Sequence, residues 1–240
     1  MQLALLLVIG WRPWPNREHV SNTSPGPARL TVVGCGVGLL LVTLLAVKPV
    51  FENSVAVQQA DNALLLRGRP GEAARLLHHA QQSDQLDPAP SRKLARLRIE
   101  QAGRDAASDE VFDQAIRAAT ETSLRDPHNW ISAHDRARAV QRKWQRHRDD
   151  DAREEMIDWG KAAIDRYPSN PRLHAWLAET LAETGQASHA AREARQTIRL
   201  HRLLQSRGHV DKLLSRERLA QMQSLVQAAD EPASLPQGRN

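Results

Sequence analysis

The residues of this 240-residue chain best equipped for chemistry are its ten histidines and six tryptophans. Histidines hold a metal or relay a proton when the backbone puts two of them on one side, as the i, i+4 spacing of H-E-x-x-H does on a helix. The spacings here fail that test. His78 and His79 are adjacent and point apart on a helix, and His128 and His134, six residues apart, miss a common face. His174 and His189 could approach across a helical hairpin, although a packed or exposed histidine is the favoured reading. No G-x-S-x-G or P-loop is present. The single cysteine, Cys35, excludes an internal disulfide or a multi-cysteine zinc site. Glu154, Glu155 and Asp158 stand at helical spacing beside basic residues, the pattern of a solvated face. The sequence thus offers no catalytic residue, no cofactor-binding residue, no metal ligand and no evident small-molecule substrate.

Recognition is better served. Trp130, Trp144 and Trp159, with Arg142 and Arg146 among them, are candidate partner-binding residues, because Trp and Arg often dominate interface energies. The competing and favoured reading packs these tryptophans, with Trp176, between helices. Arginines around a groove would suit acidic peptides or anionic glycans. The run Arg136, Arg138, Arg142, Lys143, Arg146, Arg148 is followed at once by Asp149, Asp150 and Asp151, as on a solvated helix. The net charge of +5 also shrinks along the chain. Beyond residue 50, 29 basic side chains face 27 acidic ones. A nucleic-acid binder concentrates its basic residues on one face, so nucleic acid is not an expected partner.

These side chains need elements to hold them. Aromatics are 4% of the chain while Ala, Leu, Arg, Gln and Glu dominate, which argues against an aromatic-rich β-sandwich and for helices. Residues 30–47 form an uncharged apolar run of 18, and with Val50 and Phe51 beyond it the stretch is long enough to cross a bilayer. A transmembrane helix is expected over 30–50. Gly34 and Gly38 form G-x-x-x-G within it, a pattern that lets two membrane helices approach closely; a glycine-tolerant helix without a partner is the equal alternative. Residues 1–11 are apolar but too short to span, so they are either an interfacial anchor, with Trp11 and Trp14 at headgroup level, or the end of a truncated membrane helix. Residues 12–29 are a Pro/Ser-rich loop with Arg12, Arg17 and Arg29, against Lys48 alone after the run. The positive-inside rule then puts the C-terminal region outside the cytoplasm, in the periplasm of a bacterium.

From about 54 the apolar residues recur every three or four positions, the helical period. Ala56, Ala60 and Ala63 share a face; Gly68 and Pro70 break the helix; Ala73, Leu77 and Ala80 line the next. Asp87-Pro88, Asp126-Pro127 and Tyr167-Pro168 follow at separations of 39 and 41 residues. A fixed period of this length marks stacked helical hairpins, each burying a face its neighbour supplies. Residues 171–200 resemble a tetratricopeptide repeat (TPR): Leu177-Ala178 at its Leu-Gly pair, Leu181 at an aromatic position, Gly185 at the turn and Ala190 at a small position. Ala194 stands where an aromatic is usual, Thr197 where alanine is, and His174 where tryptophan is. The first hairpin fits the same frame through Gly68, Ala73, Leu77 and Ala80. The second fits through Ala115, Ala119 and Pro127, with Gly103 too early for its turn. The expectation is an all-α chain: an N-terminal transmembrane helix, then a TPR-like antiparallel helical-hairpin solenoid over 54–230, closed by an amphipathic helix and a tail, 231–240. The resemblance implies a scaffold that binds a protein partner on its repeat surface. The order of apolar end, basic loop, membrane helix and repeats also resembles the C-terminal part of O-antigen ligase/polymerase-like membrane proteins, which would make the chain the tail of a glycan-transferring enzyme. That family's catalytic arginines and histidine lie in an external loop with no counterpart here.

Overall fold

The computed structural model describes residues 27–104 and 107–231. The expected anchor at 1–11, most of the 12–29 loop and nearly all of the 231–240 tail lie outside the described residues. The chain divides into two units, one up to Lys48 and one from Pro49 onward. Every regular element among the described residues is helical: α1 Pro27–Leu65, α2 Pro70–Ser83, α3 Ala89–Ala102, α4 Asp109–Arg125, α5 Trp130–His147, α6 Asp150–Arg166, α7 Pro171–Glu183, α8 Ala187–Ser206 and α9 Arg216–Asp230, with a 3-10 turn at Val210–Lys212. Helix α1 begins before the apolar run and continues through Pro49 to Leu65, so the helix expected over 30–50 and the first repeat helix expected from 54 are one element. In the first unit Val37, Leu41 and Leu45 stand exposed, and so do Gly34 and Gly38, with open space where a Cβ would stand.

In the second unit the helices pair as hairpins, α3 with α4, α5 with α6 and α7 with α8, and α9 packs on α8; Ala60 and Ala63 of α1 pack on Ala73 and Leu77 of α2 in the same way. Local chemistry fixes the boundaries. Asn129, Asp149 and Asn170 each accept a backbone N–H through a side-chain oxygen, from Ile131 (2.9 Å), Asp151 (3.2 Å) and Arg172 (3.0 Å), satisfying donors that a helix start leaves orphaned. Pro70 and Pro171 occupy first turns, where no N–H is needed. Gly185 has φ +77°, and the N–H of Gln186 returns to the carbonyl of Leu181 (2.8 Å), a glycine-terminated helix end. The α5–α6 turn does the same with Arg148 at φ +56°. Its guanidinium lies 4.4 Å from the Trp144 ring centroid, an attraction that offsets the left-handed backbone.

The core is a chain of small clusters, each completed by the next hairpin. Leu97 of α3 closes the Ala60–Ala63–Ala73–Leu77 cluster. Ala139 of α5 joins Ile99, Phe112 and Ala115. Trp176, Leu177 and Leu181 of α7 cover Val140, Trp144, Met156 and Ile157. Leu214 and Met222 cap Ala175, Ala178 and Ala194. Alanine at the tightest positions explains how so few aromatics suffice, since small residues let helices approach until backbones and short side chains fill the space.

A basic groove on the first-helix face

The first helices of successive hairpins, α3, α5 and α7, together with the start of α9, line a cavity of about 560 Å³. Helix α5 supplies its floor. Trp130, His134 and Arg138 stand at intervals of four, so a single helix face carries them all. Tyr167 packs on Trp130 (centroids 5.8 Å), and Trp176 meets the His134 ring edge-on (5.1 Å, 88°) while donating its Nε1–H to Gln141 Oε1 (3.1 Å). Gly160 of α6 makes the Trp176 position possible: a methyl group there would overlap the indole ring.

The charges converge from five elements, α3, α5, α7, the 3-10 turn and α9. Arg96, Arg138, Arg172, Lys212 and Arg218 line the cavity against Asp135 and Asp211, a net +3. Several are already engaged. Arg96 Nε donates to the buried Asp135 carboxylate (3.2 Å), Arg218 binds Glu179 through two bonds (2.8 and 2.9 Å), and Arg172 donates to the carbonyl of Asp211 (2.8 Å). Arg138 and Lys212 have no such partner among the described residues, so their charge is available. Burial drives the His134 pKa from 6.5 down to about 3, and Arg138, Arg218 and Arg96 push it the same way, which keeps the ring neutral. Its Nε2 is buried without a hydrogen-bond partner. Burial raises the Asp135 pKa, against the pull of Arg96.

Of the candidate partner-binding residues Trp130, Trp144, Trp159, Arg142 and Arg146, only Trp130 lines this groove. Trp144 is 4% exposed, in the α5–α6–α7 core. Trp159 is half-buried beneath the Arg136 guanidinium (4.1 Å). Arg142 lies against Gly103 and donates to Gln145 (3.1 Å), and Arg146 is exposed at the end of α5. His174 and His189 do not meet: His174 sits between Glu193 Oε2 (2.8 Å) and the Pro168 carbonyl (3.0 Å), and His189 contacts Gln186 (3.2 Å). Among the described residues no group of three His, Cys, Asp or Glu side chains is placed to hold a metal. The signal for His134 and Arg138 was present in the four-residue spacing from Trp130.

No family model matches the chain. No curated protein matches it either. Solved structures do. A thermophilic TPR protein of Thermus thermophilus, TTC0263, superposes with a TM-score of 0.50 at 19% identity, over 75% of this chain and 92% of that one. The MamA protein superposes with a TM-score of 0.50 at 14% identity, over 77% and 98%. The fold is that of a TPR array. In such an array the first helices of successive repeats form one continuous surface, and the groove lies on that surface. The O-antigen ligase resemblance gains no support from these structures.

Proposed function

We propose that the chain is a membrane-anchored TPR scaffold that takes an extended, acidic segment of a partner protein into the groove between α3, α5, α7 and the start of α9. The observation that carries this reading is the groove's composition. Aromatic walls from Trp130, Tyr167 and Trp176 are combined with the available charges of Arg138 and Lys212, around the unpartnered Nε2 of His134. Such a site offers apolar contact for a side chain, cations for carboxylates and one neutral hydrogen-bonding nitrogen. Anchoring is supported by the apolar stretch of α1, none of whose most apolar window is buried, so lipid is its natural solvent. The excess of arginine before that stretch favours an extracytoplasmic, periplasmic array.

The test uses the full chain in detergent micelles and a fluorescent decaglutamate peptide at low salt. Wild type should bind it, and Arg138→Glu with Lys212→Glu should weaken binding at least tenfold with helicity unchanged. Equal binding by the variant would remove the groove from consideration, and preferential binding of an anionic polysaccharide would reassign its ligand. Protease protection in sealed vesicles tests the orientation: digestion of the array from the cytoplasmic side alone would reverse it.

A further inference from the structure

The second helices of the last two hairpins, α6 and α8, carry a different pattern on the faces they turn to solvent. On α6 the exposed positions Asp151, Glu154, Asp158, Lys161 and Asp165 recur at intervals of three and four, one stripe of net charge −3. On α8 the exposed positions Arg192, Arg195, Arg199 and Arg202 do the same, a stripe of +4 that falls to +2 because Arg195 is paired with Asp230 and Arg192 with Glu193. The only base of the acidic stripe, Lys161, is engaged by Asp158 (3.2 Å). Among the described residues Glu154, Asp165, Arg199 and Arg202 have no ion-pair partner, so neither stripe is neutralised within the chain. Helices α6 and α8 both rest on one core cluster, through Met156 and Ile157 from the first and Ala190 from the second. Each is antiparallel to its neighbour α7, so α6 and α8 run in the same direction.

Two parallel stripes of opposite charge are self-complementary under one symmetry operation. A two-fold axis lying between α6 and α8 and parallel to them places the acidic stripe of one copy on the arginine stripe of the other, and does so twice. An axis across the helices would instead set like charge on like. We propose that this second-helix face is a homodimer interface, with α6 of each copy seated on α8 of its partner. The contact is isologous, so it closes at two copies. It is separate from the groove and stands whether or not the groove binds a peptide. Exposed ion pairs are individually weak, so the association is salt-sensitive, and it gains from the raised local concentration of tethered copies.

The experiment is co-capture between two differently tagged full-length copies in detergent micelles, with helicity checked for every variant. Wild type should capture itself at low salt and lose most of that capture in 0.5 M salt, where the screening length falls to about 4 Å. Arg199→Glu/Arg202→Glu should fail to capture itself, and so should Glu154→Lys/Asp165→Lys, because each brings like charges together. Mixing the two variants should restore capture to near the wild-type level, since one then presents acid on both helices and the other base. Restoration cannot arise from association of the apolar helices, which the substitutions leave untouched. The proposal is overturned if wild type does not capture itself, if either variant captures itself as well as wild type does, or if the mixture stays apart.

Discussion

At the scale of single residues, His134 has the clearest consequence. Its native pKa, about 3, lies below the value of 6.5 it has when unfolded, because burial and the neighbouring arginines disfavour the charged ring. The native state therefore gains from the neutral ring above pH 6.5 and loses that gain as the pH falls toward 3. Asp135 acts in the opposite sense: with its pKa raised by burial, acidification relieves rather than imposes a cost. The two partly cancel in the wild type, so the informative quantity is a difference. His134→Phe keeps a ring against Trp176 and removes the unpartnered nitrogen. Its urea-unfolding free energy should rise relative to wild type by about 2–3 kcal/mol between pH 6.5 and about 4.5, from 1.4 kcal/mol per pH unit for one proton. A constant difference across that range would show that His134 is charged or solvated in the fold. Gly160 makes a second residue-scale case. Gly160→Ala drives a methyl group into the Trp176 ring and should cost about 1–3 kcal/mol, despite the better helix propensity of alanine. Trp176→Leu in the same chain should recover part of that loss, and strict additivity of the two would show that they do not touch.

At the scale of elements, the stacking is what periodicity could reveal, and the exceptions show where it stops. The TPR resemblance put Ala190, Ala194 and Thr197 at repeat positions of the last hairpin, and all are buried; it put Gly185 at the turn, and the positive φ there favours glycine. Those positions obey local rules. Gly160 was invisible because its role is set by a ring 16 residues away, and His134 because its burial comes from α7. Arg148 holds a turn in a left-handed conformation that no sequence rule assigns to arginine. The closing helix is an element whose role can be measured. Arg172 holds the preceding loop through the carbonyl of Asp211, the N–H of Leu214 donates to His201 Nδ1 (3.2 Å), and Met222 is fully buried. Met222→Ala should cost about 2–4 kcal/mol, measured by chemical unfolding. A cost below about 1 kcal/mol would mean that α9 is not part of the cooperative unit.

At the scale of the whole molecule, the core clusters decide how the array unfolds. Each contains residues from one hairpin and a few from the next element in line, and among the described residues no single centre gathers all the hairpins. Stability is then close to a sum of hairpin terms and nearest-neighbour terms, so damage at one junction should stay near it. Leu97 tests this, because it belongs to α3 yet completes the cluster of the α1–α2 hairpin. Leu97→Ala removes contact at that junction alone. Amide hydrogen exchange within 56–83 should accelerate by tenfold or more, as follows from about 2 kcal/mol of lost burial. Exchange in 171–200, three junctions away, should change by less than twofold. A uniform acceleration along the array would instead require one global unfolding unit, in which a partner gripping the α5–α7 groove would stabilise every hairpin equally. The local outcome carries a different consequence: a peptide in the groove would protect α3, α5, α7 and α9, leave the α1–α2 hairpin as labile as before, and so report its own binding site through exchange.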